Sequence, residues 1–220
     1  MFFFPIGCLI FVLFILFLPV LFVLGYFHIV TLGFEKLGIS PQITLFLLLA
    51  ILIGSAVNIP LGRKKLIYVE ETRFFGLWRV PKIEARGVAI NLGGALIPVL
   101  LSFYFLYLIW QKGFSLQPVL IATILMTIVS KILSRVIAGR GVVLAALIPP
   151  VFAALFALIL TPGFAAPVAF VSGTLGVLIG ADIMNLKKVQ KFGGFISIGG
   201  AGVFDGIFLV GIVSALLAGF

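Results

Sequence analysis

The sequence runs to 220 residues, 63% hydrophobic and only 10% charged, with a mean hydropathy of +1.39. Soluble domains are roughly 45–50% apolar and about 25% charged, so composition excludes a soluble fold and points to an all-α membrane protein of several spans. The net charge of +9 then reads as topology and contact with anionic lipid headgroups, not as a nucleic-acid signal.

A span needs roughly 20 apolar residues. In chain order such stretches fall at 5–31, 41–61, 87–110, 118–138, 142–161, 164–185 and 196–219, predicting about seven transmembrane helices in one multi-pass domain over residues 1–220. The first is expected to be an uncleaved span, because no basic region precedes its apolar run. Basic residues concentrate in three connections. Arg63, Lys64, Lys65, Arg73, Arg79, Lys82 and Arg86 lie in the loop over 62–86, Arg140 follows the fourth span, and Lys187, Lys188 and Lys191 precede the seventh. The remaining loops hold only Lys36 and Lys112. The positive-inside rule therefore puts the N-terminus in the cytoplasm and the C-terminus outside.

Within the long loop, residues 66–80 are rich in aromatic and β-branched side chains around a polar break at Glu70, Glu71 and Thr72. This predicts a small cytoplasmic β-hairpin at headgroup level; an irregular interfacial loop held by Trp78 is the alternative. Lys131 and Arg135, near the end of the fourth span, read as snorkelling cations at the same interface.

An internal echo relates residues 90–95, INLGGA, to residues 196–201, ISIGGA. Each opens a span that rises from the cytoplasm, after a descending span and a basic loop. A parallel repeat with halves at 41–110 and 164–219 would explain the echo, and repeat-built membrane proteins place their sites between the halves. The competing explanation is that GGA is a small-residue helix contact.

The chain has two aspartates, Asp182 and Asp205, and both fall inside apolar stretches. A carboxylate at mid-bilayer costs roughly 2.5 kcal/mol or more, so each marks a functional site by default. A straight helix from Phe195 would bury Asp205 about 15 Å deep, far from Asp182. The glycines Gly193, Gly194, Gly199, Gly200 and Gly202 oppose such a helix, each by about 1 kcal/mol relative to alanine. If they instead form extended or re-entrant chain, the helix starts near Val203 and the two acids come level. Asn185, one turn after Asp182, would orient it. Asn91 would lend a hydrogen bond to the same cavity, and Gly206 follows the second acid directly.

Two carboxylates in one cavity are the equipment for activating a water and protonating a leaving group. They equally mark a proton or cation route. A non-catalytic membrane scaffold, with Asp205 merely capping a helix, is the third reading. One histidine and one cysteine preclude a His/Cys metal cluster, and no GxxxxGK[ST] phosphate loop is present. Neither a metal nor a cofactor is expected.

The blocks GGALIP, GADIMNL and SIGGAGVFDGIFL resemble a prokaryotic multi-pass membrane family described only as a domain of unknown function. In layout the acid pair is also similar to the intramembrane aspartyl proteases: presenilin, signal peptide peptidase and prepilin peptidase. Those enzymes carry one aspartate on a descending span and a second in Gly-x-Gly-Asp on an ascending one. The resemblance implies a protease with Asp182 and Asp205 catalytic and a transmembrane peptide as substrate. Here Val203 and Phe204 intervene between Gly202 and Asp205, and no later span carries Pro-Ala-Leu.

Overall fold

A computed structural model describes residues 17–18, 24–62, 65–73, 78–137, 141–145, 147–191, 195–200 and 205–219. The chain is mostly helical, as its composition predicts, but it is not all-α. Helix α1 covers 24–36, α2 Pro41–Gly54, α3 Ile97–Gln111, α4 Gln117–Leu133, α5 Ile148–Leu160, α6 Ala165–Val177, α7 Leu186–Lys191 and α8 Gly206–Ala218. Among the described residues six strands interrupt them: β1 Asn58–Pro60, β2 Lys65–Arg73, β3 Trp78–Asn91, β4 Arg135–Ile137, β5 Gly141–Val143 and β6 Phe195–Ile198. Most of the first expected span, 5–31, lies outside the described residues.

Among the described residues, two helical runs are long and apolar enough to cross a membrane, Leu92–Gln111 and Ala165–Gln190. The helices Pro41–Gly54, Gln117–Leu133, Ile148–Leu160 and Gly206–Ala218 are apolar but shorter, because strands take the ends that composition alone assigns to helix. The expected second span stops at Gly54 rather than residue 61. The third starts at Leu92 rather than 87, the fourth stops at Leu133, the fifth starts at Ile148 and the seventh starts at Gly206.

Apolar composition does not distinguish a helix from a strand whose edges are both paired, and β3 has both edges paired along its C-terminal part. Its residues Ala89–Asn91 pair antiparallel with β1, while Gly87–Ile90 pair parallel with β6 on the other side. Its N-terminal part pairs antiparallel with β2, from Lys65↔Arg86 to Arg73↔Trp78. The hairpin expected over 66–80 is therefore present and longer. β1 and β2 form one arm of it, β1 pairing with Ala89–Asn91 and β2 with Trp78–Arg86. The sheet supplies backbone hydrogen-bond partners where the helices stop.

The echoing segments INLGGA and ISIGGA are thereby side by side. The sheet pairs Ile90 with Ile198, two residues out of step with the sequence echo, and each strand then leads into a helix. Gly199, with φ +74°, makes the turn after β6. A Cβ there would sit 2.6 Å from the Ala95 nitrogen and Cβ, so the tight approach of the two turns requires glycine.

The core gathers around α6, which packs against α3, α4, α5 and α8 and buries nearly every residue. Its small residues make this possible. Gly176 and Gly180 face Met126, Thr127 and Ser130 of α4, and Gly173 faces Val210 and Ser214 of α8. Where the surroundings are as apolar as the side chains, such close backbone approach is what holds helices together. Phe105 of α3 meets Phe170 edge-on, with ring centroids 5.2 Å apart.

Candidate functional site

Asp182 sits on an irregular continuation of α6. After Val177 the helix widens into a π turn, Leu178–Asp182, then tightens to a 3₁₀ turn, Ile183–Asn185, before α7. Such interruptions leave backbone carbonyls without their regular partners, and they recur at functional sites. Side chains take up two of these carbonyls. Asn185 donates from Nδ2 to the Ala181 carbonyl at 2.8 Å, and Lys131 of α4 donates from Nζ to the Met184 carbonyl at 3.1 Å.

Asp205 reaches the same region from the other side. It is the N-cap of α8, with extended backbone (φ −71°, ψ 144°), and its Oδ1 accepts the Ile207 N–H at 3.0 Å. Within the glycine-rich approach, Phe195–Ile198 is a strand and Gly199 and Gly200 form a turn, so this described part is not helix. The helix thus starts three residues after Val203, and Asp205 is brought to the end of α8 instead of its middle.

One cavity of about 180 Å³ is lined by both acids, with Val142, Leu144, Ala145, Val177, Ala181, Gly206, Ile207, Leu209 and Val210. That volume has room for several waters. Both carboxylates are partly buried and near enough for their charges to interact. Among the described lining residues they are the only ionisable groups, so an anionic ligand would meet no cation there. Asp182 makes no hydrogen bond or ion pair among the described residues.

The supporting residues divide. Gly206 lines the cavity. Asn185 does not bond Asp182: its Oδ1 accepts Lys131 Nζ at 2.5 Å, and its Nδ2 donates to Ser134 Oγ and to the Ala181 carbonyl. It shapes the helix break instead of the carboxylate. Asn91 is also elsewhere. Fully buried, it donates to the Ser55 carbonyl at 2.8 Å and to Asn58 Oδ1 at 3.0 Å, and its Oδ1 accepts the Gly94 N–H at 2.8 Å. Ser197 of β6 donates to the same Asn58 oxygen. These amides tie β1, β3 and β6 together rather than lining the cavity, because strand pairing sets Asn91 beside Asn58. Gly199 packs against Gly94 and Ala95 in the turn before α3, Gly200 is exposed, and Gly202 lies outside the described residues.

A family profile described as "Protein of unknown function (DUF1614)" matches residues 52–217, which include β1 to β6, both acids and the whole cavity lining. The chain belongs to the DUF1614 family. No curated protein and no solved structure matches it.

In this DUF1614 chain the cavity has one wall that sequence patterning does not indicate. Val142, Leu144 and Ala145 come from β5 and the residues after it, a stretch that reads as the start of a fifth span. The signal was present in Gly141, whose φ of +82° allows a hairpin turn that interrupts the helix. Lys131 does more than reach for headgroups: it braces the helix break through Met184 and Asn185. No group of three or more His, Cys, Asp or Glu suited to a metal ion occurs among the described residues.

Proposed function

We propose that the protein is a multi-pass integral membrane protein of about seven spans, with its N-terminus in the cytoplasm, that uses Asp182 and Asp205 to hydrolyse a peptide bond within the membrane. The observation that carries this reading is the shared cavity, roomy enough for several waters and bordered by both acids. The basic connections supply the orientation.

The roles follow from the surroundings of each acid. Asp205 holds a backbone N–H at a helix N-terminus, where negative charge is favoured, so it serves as the carboxylate that takes a proton from water. Asp182, with no donor among the described residues, carries the proton given to the substrate. Water oxygen adds to the amide carbon as its proton passes to Asp205 and the Asp182 proton passes to the carbonyl oxygen. Collapse of the adduct breaks the C–N bond as one hydroxyl of the adduct returns its proton to Asp182 and the leaving nitrogen takes the proton from Asp205, which restores both acids to their starting states. An extended peptide fits a lining of small aliphatic groups without cations.

The test is reconstitution of wild type, Asp182→Asn and Asp205→Asn in liposomes, with a transmembrane reporter peptide and a proton-coupled uptake assay run side by side. Cleavage by wild type that both variants lose supports the dyad. Uptake lost in the variants, with no cleavage by any of the three proteins, overturns it in favour of an ion pathway through the same acids.

A further inference from the structure

The end of α4 and the end of α6 meet in a cluster of cations that the hydrolytic site does not use. Lys131 bridges to Met184 and Asn185 with its ammonium group. Beyond it, Arg135 begins β4, while Lys187 and Lys188 lie on α7, which packs against β4. Arg135, Lys187 and Lys188 are exposed and form no hydrogen bond or ion pair among the described residues. Exposed cations gathered in this way give the surface a positive potential that favours an anion from outside the chain.

Apolar side chains run directly up to this cluster. Ile128 and Ile132 on α4 are 51% and 75% exposed, and Ile183 and Met184 on the 3₁₀ turn are 49% and 52% exposed. A soluble anion would have no use for such a strip. A phospholipid would, since its acyl chains cover the isoleucines while its phosphate meets the cations.

We propose that the junction of α4, β4 and α7 binds the headgroup of an anionic phospholipid, with Arg135, Lys187 and Lys188 as phosphate partners and Lys131 as the link to the helix break. Headgroup occupancy then braces the segment that carries Asp182 through Met184 and Asn185. The lipid site stands whether or not the two acids are catalytic.

The full chain is placed in nanodiscs of mixed phosphatidylglycerol and phosphatidylcholine, released, and the retained lipid counted by native mass spectrometry. The variant Arg135→Gln/Lys187→Gln/Lys188→Gln removes three cations that hold no structural bond, leaving Lys131 intact. A same-charge control, Arg63→Gln/Lys64→Gln/Lys65→Gln, removes three from the other basic loop. Preferential retention of phosphatidylglycerol should fall about tenfold or more in the first variant, which loses phosphate partners beside the apolar strip, and less than about threefold in the control, which keeps them. Equal loss in both variants would reduce the effect to general surface charge and overturn the site. No loss in the first would overturn it as well.

Discussion

Gly176→Ala isolates the contact on which the α6 core depends. The added Cβ would lie 2.6 Å from Met126 Cβ and 3.0 Å from the Met126 carbonyl carbon. Carbon atoms pack best at about 3.5–4.0 Å, so α4 and α6 must separate by roughly an ångström along that stripe. The atoms in the way are the backbone and first side-chain carbon of α4, which cannot swing aside. Overpacking of this kind costs about 1–3 kcal/mol, five- to 150-fold in the unfolding equilibrium. The loss is not offset by hydrophobic drive where the alternative surroundings are also apolar. Unfolding is followed by helical ellipticity as sodium dodecyl sulfate is titrated into mixed micelles. Gly25→Ala is the comparison: it lies in α1, nothing approaches its Cβ position within 4 Å, and it should gain up to about 1 kcal/mol from helix propensity. If Gly176→Ala unfolds at the wild-type detergent fraction, or if Gly25→Ala falls as far, the close-packing account of the core is refuted.

Replacing Asp205 separates charge from capping: Asp205→Ala should lose about 1 kcal/mol in the same titration, whereas Asp205→Asn keeps an oxygen for the Ile207 N–H and should stay within about 0.5 kcal/mol of wild type. Asn91→Ala removes three hydrogen bonds from a fully buried amide, worth about 1 kcal/mol each, and should destabilise by about 3 kcal/mol. Limited proteolysis of the β1–β3–β6 region reports whether that loss is local. Lys131→Met leaves the Met184 carbonyl and Asn185 Oδ1 without their donor and should cost about 2 kcal/mol, with Lys131→Arg recovering part of it. In a Cys8→Ser background, a membrane-impermeant maleimide should label Lys188→Cys only from the cytoplasmic face and Lys112→Cys only from the other.

Much of the site is legible in the order of residues. Asp182 and Asp205 stand out because charge is scarce in apolar chain, and the glycines before Asp205 already argue against a helix there. The N-cap at Asp205 follows from the same reasoning, since aspartate at the start of an apolar run is a capping signal. What could not be read was which partner each amide would take. Asn185 is one helical turn from Asp182 in sequence, yet Lys131 and Ser134, more than fifty residues earlier, claim it. Asn91 adjoins a glycine pair like that near Asp205, yet strand pairing commits it to Ser55 and Asn58. Hydrogen-bond partners are set by which elements pack together, and no local pattern encodes that.

The boundary between helix and strand divides along the same line. Hydropathy alone requires that nearly the whole chain be shielded from water and that two rare acids be explained. It cannot decide that residues 58–60, 87–91 and 195–198 leave their apolar stretches to form a sheet, because an apolar helix and a strand paired on both edges have the same composition. That choice was made by tertiary pairing of backbone groups left over where helices end. It brings the two echoing segments together, starts α8 at Gly206, and puts both carboxylates beside one cavity.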